Sequence, residues 1–234
     1  MKTAIAAVSV LAISGAAFGQ AWNESGDAGD AVGAAAQVVT GSGALTAING
    51  STDAGAGDLT DAYVIRITDG SAFFASTDNT IAGDSDFDTR LWLFDLAGNA
   101  VLGNDDSTAG AANFSFQSFL SDAANYTAQP GGGTVDPSAT GATIAPGDYI
   151  LAISGFSQEA FDANGVRTID MAVDFDALHG PNAASTGVLD SWEDTGFEAT
   201  GSYSIALGGA EFIPAPGAVA MLGLGGLAAA RRRR

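Results

Sequence analysis

Cysteine is absent from the 234 residues, histidine occurs once, and lysine plus arginine number only 8. The first absence excludes thiolate metal sites, disulfide cross-links and cysteine nucleophiles. The second leaves His179 as the sole imidazole, in Ala177-Leu178-His179-Gly180-Pro181, which reads as a strand running into a loop. A Ser-His-Asp enzyme would have to rest on that residue, and the sequence has neither a Gly-x-Ser-x-Gly elbow nor a His-Glu-x-x-His helix. Among so many acids no carboxylate pair singles itself out for glycoside hydrolysis. Basic residues are scarce and displaced to the ends: Lys2 at the start, and Arg231, Arg232, Arg233 and Arg234 at the finish. Between them Arg66, Arg90 and Arg167 stand against all 27 acidic residues, a net of −24. Such a surface repels phosphate backbones, which argues against nucleic acid as a partner, and it suits divalent cations.

What is present is enough apolar material for a core, 47% of residues, broken by 32 glycines. Long helical periods are missing. Instead short runs alternate with period two, the signature of half-buried strands. Tyr63, Ile65 and Ile67 share one face of the segment 62–68; Tyr149, Leu151 and Ile153 do so in 148–154, and Tyr203, Ile205 and Leu207 in 202–207. Further strands are expected at 37–40, 45–49, 72–76, 89–95, 100–103, 114–120 and 167–173. Leu91 and Leu93 face the core, with Trp92 on the opposite side. Turn signals separate these runs, among them Asp69-Gly70, Gly98-Asn99, Gly147-Asp148 and Asn164-Gly165. The pattern predicts an all-β fold, a single antiparallel β-sandwich over residues 22–212, with 128–142 as a flexible surface loop.

The two ends read as addresses. Residues 1–21 have a basic start at Lys2, an apolar stretch from Ala4 to Ala17, and small residues at Ala17 and Gly19, the layout of a secretory signal peptide. Residues 213–234 hold Pro214-Ala215-Pro216-Gly217, an uncharged apolar run at 218–230, and the four terminal arginines. As a helix at ~1.5 Å per residue that run spans about 20 Å, short of the ~30 Å hydrocarbon core. The arginines would hold the C-terminus on the cytoplasmic side while the body is exported. The expected contact with membrane is through this helix alone.

This tail resembles the bacterial PEP-CTERM sorting signal: a short proline motif, an apolar helix, and an arginine cluster at the chain end. The resemblance implies processing by an exosortase-type membrane transpeptidase. The departure is Ala215, where the family has Glu. The body also resembles a family. Trp22-Asn23-Glu24-Ser25-Gly26-Asp27, Asp61-Ala62-Tyr63, Asp88-Thr89-Arg90-Leu91-Trp92-Leu93-Phe94-Asp95, Asn104-Asp105-Asp106, Pro146-Gly147-Asp148-Tyr149 and Gly201-Ser202-Tyr203 follow in the order of the bacterial pre-peptidase C-terminal domain. That resemblance implies a jelly-roll-like sandwich appended to secreted proteins, some of which bind calcium. No protease domain is expected before the module, so nothing catalytic is expected to carry over.

Calcium takes six to eight oxygen ligands, carboxylates prominent among them. Two acidic stretches offer them: Glu24, Asp27 and Asp30, and Asn104, Asp105 and Asp106. The resemblance implies that an N-terminal segment and a neighbouring loop share the ion, and the two stretches are expected to pair. Asp84, Asp86 and Asp88 look like the start of an EF-hand, but Thr89 occupies the position that needs glycine. Trp22, Trp92 and Trp192 are candidate sugar platforms, although tryptophan in such a fold more often packs. The reading is an exported, non-enzymatic cell-surface or extracellular-matrix protein. Its expected partners are an exosortase-type enzyme and exopolysaccharide. A carbohydrate-binding module is the alternative, and a cryptic hydrolase the third.

Overall fold

A computed structural model describes residues 19–108, 116–172, 174–196 and 199–215. The expected signal peptide falls almost wholly outside these residues. So do Pro216, Gly217, the helix at 218–230 and Arg231–Arg234. No helix of the described residues is long and apolar enough to cross a membrane.

The fold is all-β, with two six-stranded sheets. Strands are numbered in chain order. The first sheet runs β1 (Gln20–Asn23), β4 (Leu45–Ser51), β16 (Ser202–Gly208), β6 (Phe74–Ser76) and β10 (Phe119–Ser121), and β7 (Asp84–Ser85) also pairs with β16. The second runs β17 (Ala210–Glu211), β5 (Thr60–Ile67), β12 (Gly147–Gly155), β8 (Thr89–Asp95) and β9 (Ala100–Asn104), and β2 (Gln37–Val38) flanks β5. Three two-stranded ribbons complete it: β3 (Thr40–Gly41) with β18 (Ile213–Pro214), β11 (Thr134–Val135) with β14 (Ala177–Leu178), and β13 (Gln158–Phe161) with β15 (Ser191–Asp194).

The alternation read from sequence sets the register. Leu151 lies opposite both Tyr63 and Leu93, and Ile153 opposite both Asp61 and Leu91. Tyr63, Ile65, Leu91, Leu93, Leu151, Ile153, Tyr203 and Ile205 are all buried, and residues of both large sheets meet in one core. The second sheet is buried on its other face too. Trp92, Phe94, Ile150 and Ala152 form a separate cluster there with Ala160, Ile169 and Met171. A strand covered on both sides has no polar face to alternate with, which is why Leu91 to Phe94 read as an unbroken apolar run. The β8–β9 hairpin turns at Gly98, whose φ of 81° suits glycine, while Asp95 accepts from the amides of Ala97 and Asn99.

Three expectations need correction. The central pairs are antiparallel, but β1 joins β4, β2 joins β5, β3 joins β18 and β11 joins β14 in parallel. The sheets are therefore mixed: these short strands belong to segments laid along an edge, not to hairpins. Residues 167–172 are not a strand. Ile169 and Met171 alternate because they plug the outer cluster, while the Thr168 amide donates to the Ala160 carbonyl and the Thr168 carbonyl accepts from the Asn182 amide. The segment 128–142 is docked rather than a free loop. It carries β11 and a 3-10 turn over Pro137–Ala139 capped by Asp136, and Ala139 is fully buried.

Candidate metal centres

The first acidic centre lies where the N-terminal segment crosses the start of β5. Asp61 is in phase with Tyr63, Ile65 and Ile67, so it enters the core at the end of their apolar face, fully buried. Its Oδ2 accepts from Tyr203 Oη at 2.5 Å, and that hydroxyl is also 2.5 Å from Tyr63 Oη. No donor reaches Asp61 Oδ1. Carboxylate oxygens of Asp27, Asp58 and Asp61 all lie within 4.8 Å of one another. Glu24 joins them from β1's end: its Oε2 accepts from the Ser51 amide at 3.0 Å, and its buried Oε1 has no donor. A methyl group at Gly50 would strike Tyr203 Oη and Glu24 Oε2, so glycine lets the β4 backbone approach this group.

The electrostatics follow from burial. It pushes Asp61 up to about 8, with Glu24, Asp58 and Asp27 adding repulsion and the Tyr203 hydrogen bond opposing. It raises Asp58 to about 6, again with Asp27 and Glu24 contributing, and it raises Glu24. Burial also drives Tyr63 and Tyr203 far above the usual phenol range, so both stay protonated. Among the described residues no lysine, arginine or histidine pairs with these carboxylates, and they are compensated either by protons or by a bound ion.

Asp30, expected as a ligand, is occupied otherwise. Its Oδ1 accepts from the amides of Val32, Gly33 and Ala34, which closes a turn. It does line a cavity of about 310 Å³ beside the centre, together with Asp27, Asp58, Gln158 and Trp192. Trp192 donates to the Asp30 carbonyl and packs edge-on against Trp92 and Phe94. Trp92 is fully buried with its Nε1 on Ser154, and Trp22 meets Tyr63 edge-on, so both are packing residues.

The second expected stretch lies in a separate cluster. Asn104 is structural: its amide donates to the carbonyls of Asp106 and Ala177, and its oxygen accepts from the Phe119 amide. Asp105 and Asp106 instead meet Asp88, their carboxylate oxygens again within 4.8 Å. Asp88 thus parts from Asp84 and Asp86, which are exposed. The structure brings neither Asp105 nor Asp106 into the group around Asp27.

Sequence reasoning did not single out Asp58, Asp61 or Asp88 for these groups. Two signals were readable: a carboxylate in phase with Tyr63 and Ile65, and an arginine, Arg90, in phase with buried Trp92. Both are charges on apolar faces, and each needs a partner. His179 is buried, with Nε2 2.8 Å from the Asp174 carbonyl and a backbone bridge to Gly103, a packing role. Compared with family models, curated proteins and solved structures, the chain matches none.

Proposed function

We propose that this chain is an exported, non-enzymatic cell-surface or extracellular-matrix protein whose body is stabilised by calcium held at Glu24, Asp27, Asp58 and Asp61. The observation that carries this is Asp61, a fully buried carboxylate with one oxygen lacking any donor, among three further carboxylates. An all-oxygen, highly charged ligand set fits calcium, not zinc. The ion would join β1, the turn after it and the start of β5, fastening the N-terminal segment to the core. This is the role implied by the resemblance to pre-peptidase C-terminal domains. The jelly-roll-like sandwich of that family is supported by the shared core, in which Leu45, Ile48 and Ile205 of one sheet join Tyr63, Leu91 and Leu151 of the other.

Export and sorting rest on the two ends: a signal peptide at 1–21, and a tail processed by an exosortase-type enzyme, with exopolysaccharide as the surroundings of the mature protein. The second reading, a carbohydrate-binding module, is favoured by one observation, the cavity lined by Trp192 and acidic acceptors. Thermal unfolding in calcium and in magnesium at equal ionic strength tests the first reading. Calcium raises the melting temperature more, and Asp58→Asn with Asp61→Asn removes the difference contributed by this centre. Equal shifts from both ions would leave only screening of an acidic surface. A glycan array probed with wild type and Trp192→Ala tests the second.

A further inference from the structure

We propose that Asp88, Asp105 and Asp106 form a second divalent-cation site, of calcium type, independent of the first. The three residues come from two places: Asp88 immediately precedes β8, and Asp105 and Asp106 follow β9, at the open end of the β8–β9 hairpin. Asp105 is fully buried and Asp106 is 3% exposed. Arg90 pairs with only one of the three, Asp105, and through only one of its oxygens. Its Nε and Nη2 both point at Asp105 Oδ2, at 2.9 and 2.8 Å, and its Nη1 goes to Glu159 at 2.7 Å. That leaves Asp105 Oδ1 without a donor, and Asp106 Oδ1 and Asp88 Oδ1 are likewise buried and donor-free.

Donor-free oxygens on two carboxylates more than nine-tenths buried are not explained by hydrogen bonding within the fold, because buried acceptors are almost always satisfied. Surface solvation does not explain them either. A cation held among the three carboxylates, whose oxygens approach within 4.8 Å of one another, would supply the missing partners and remove their mutual repulsion. The donors are all hard oxygens without nitrogen or sulfur, which excludes a zinc-type site. Magnesium keeps several of its waters, whereas calcium accepts irregular carboxylate sets. The ion would tie the entry of β8 to the exit of β9, closing the hairpin at the end opposite its Gly98 turn.

Calorimetric titration of the purified full chain with CaCl2, after chelation, tests this. Wild type is expected to bind two ions, Asp88→Asn with Asp106→Asn one, and Asp58→Asn with Asp61→Asn also one. Asp105 is left in place as the partner of Arg90. If the first double variant does not fold, Asp88→Asn alone decides, with an expected loss of about tenfold in affinity at one of two sites, since carboxylate count sets calcium affinity. The proposal is overturned if wild type binds no calcium, or if the Asp88 variants bind as many ions, as tightly, as wild type. One ion in wild type that disappears with Asp88 and Asp106 upholds this site and overturns the one at Asp61.

Discussion

Arg90 sets two donors on a single oxygen of Asp105, with both side chains essentially inaccessible to solvent. The same guanidinium reaches Glu159 and lies 4.8 Å from the centre of the Phe156 ring. Glu159 also has Arg167 at 3.3 Å, but removing Arg90 leaves buried Asp105 without its cation, and breaking a buried pair costs about 3–5 kcal/mol. Arg90→Met should therefore lower the unfolding free energy by about that amount in urea titrations. Arg90→Lys should fall between, since lysine keeps the charge and loses the fork. A variant as stable as wild type would overturn the view that this buried ion pair holds the fold together.

Gly50→Ala should destabilise the body by about 1–3 kcal/mol, the range for crowding a packed site. The added methyl meets Tyr203 Oη and Glu24 Oε2, neither of which is free to swing away without breaking its own hydrogen bond. The calcium-dependent part of the melting temperature should shrink with it. A normal calcium response in this variant would place Glu24 outside the ligand set.

Stability without divalent ions should fall as pH rises. Burial holds Asp58 and Asp88 up to about 6, Asp105 to about 7, and Asp61 and Asp106 to about 8. The unfolded chain releases these protons near pH 4. Between the two values the folded state binds more protons, so their contribution is complete below about pH 4 and is lost as pH climbs towards about 8. Calcium competes with the same protons and should flatten the profile, its stabilisation growing with pH. Melting temperatures from pH 4 to 9, in chelator and in calcium, check the sign; a chelated protein that gains stability over this range contradicts it.

Deleting residues 217–234 should release the protein from the envelope into the medium, because the proposed anchor and arginine stop go with them. Fractionation of cells producing the full and shortened chains measures this. Equal retention would show that another segment, or the body itself, holds the protein at the surface.

Strand positions were legible wherever apolar residues kept strict alternation, as at Tyr63-Ile65-Ile67 and Tyr203-Ile205-Leu207. Period two reports a half-buried surface directly. It failed at Ile169 and Met171, because side chains that plug a cluster can alternate without any strand partner. The pairing of β4 with β16 was hidden as well, since it joins Ile48 to Ile205 across most of the chain. The acidic centres were legible only as two stretches of sequence. Glu24 and Asp27 lie close together in the chain, but Asp58 and Asp61 reach them through the parallel β1–β4 pairing and the course of β5. Asp88 meets Asp105 because a hairpin folds back, and adjacency to Asp84 and Asp86 pointed the other way.

Ile213 and Pro214 are already stitched to Thr40 and Gly41, with the Ile213 amide on the Val39 carbonyl at 2.9 Å. A body coupled to a surface at the proline motif would thus have a very short leash. Residues 215–217, even fully stretched, reach only about 10 Å. The rim formed by β3 and β18 would be pressed against whatever the chain is joined to, and hidden from solution. The opposite rim would always face outward. Display would have a fixed polarity, and a lengthened linker inserted after Ala215 should abolish it by letting the body tumble.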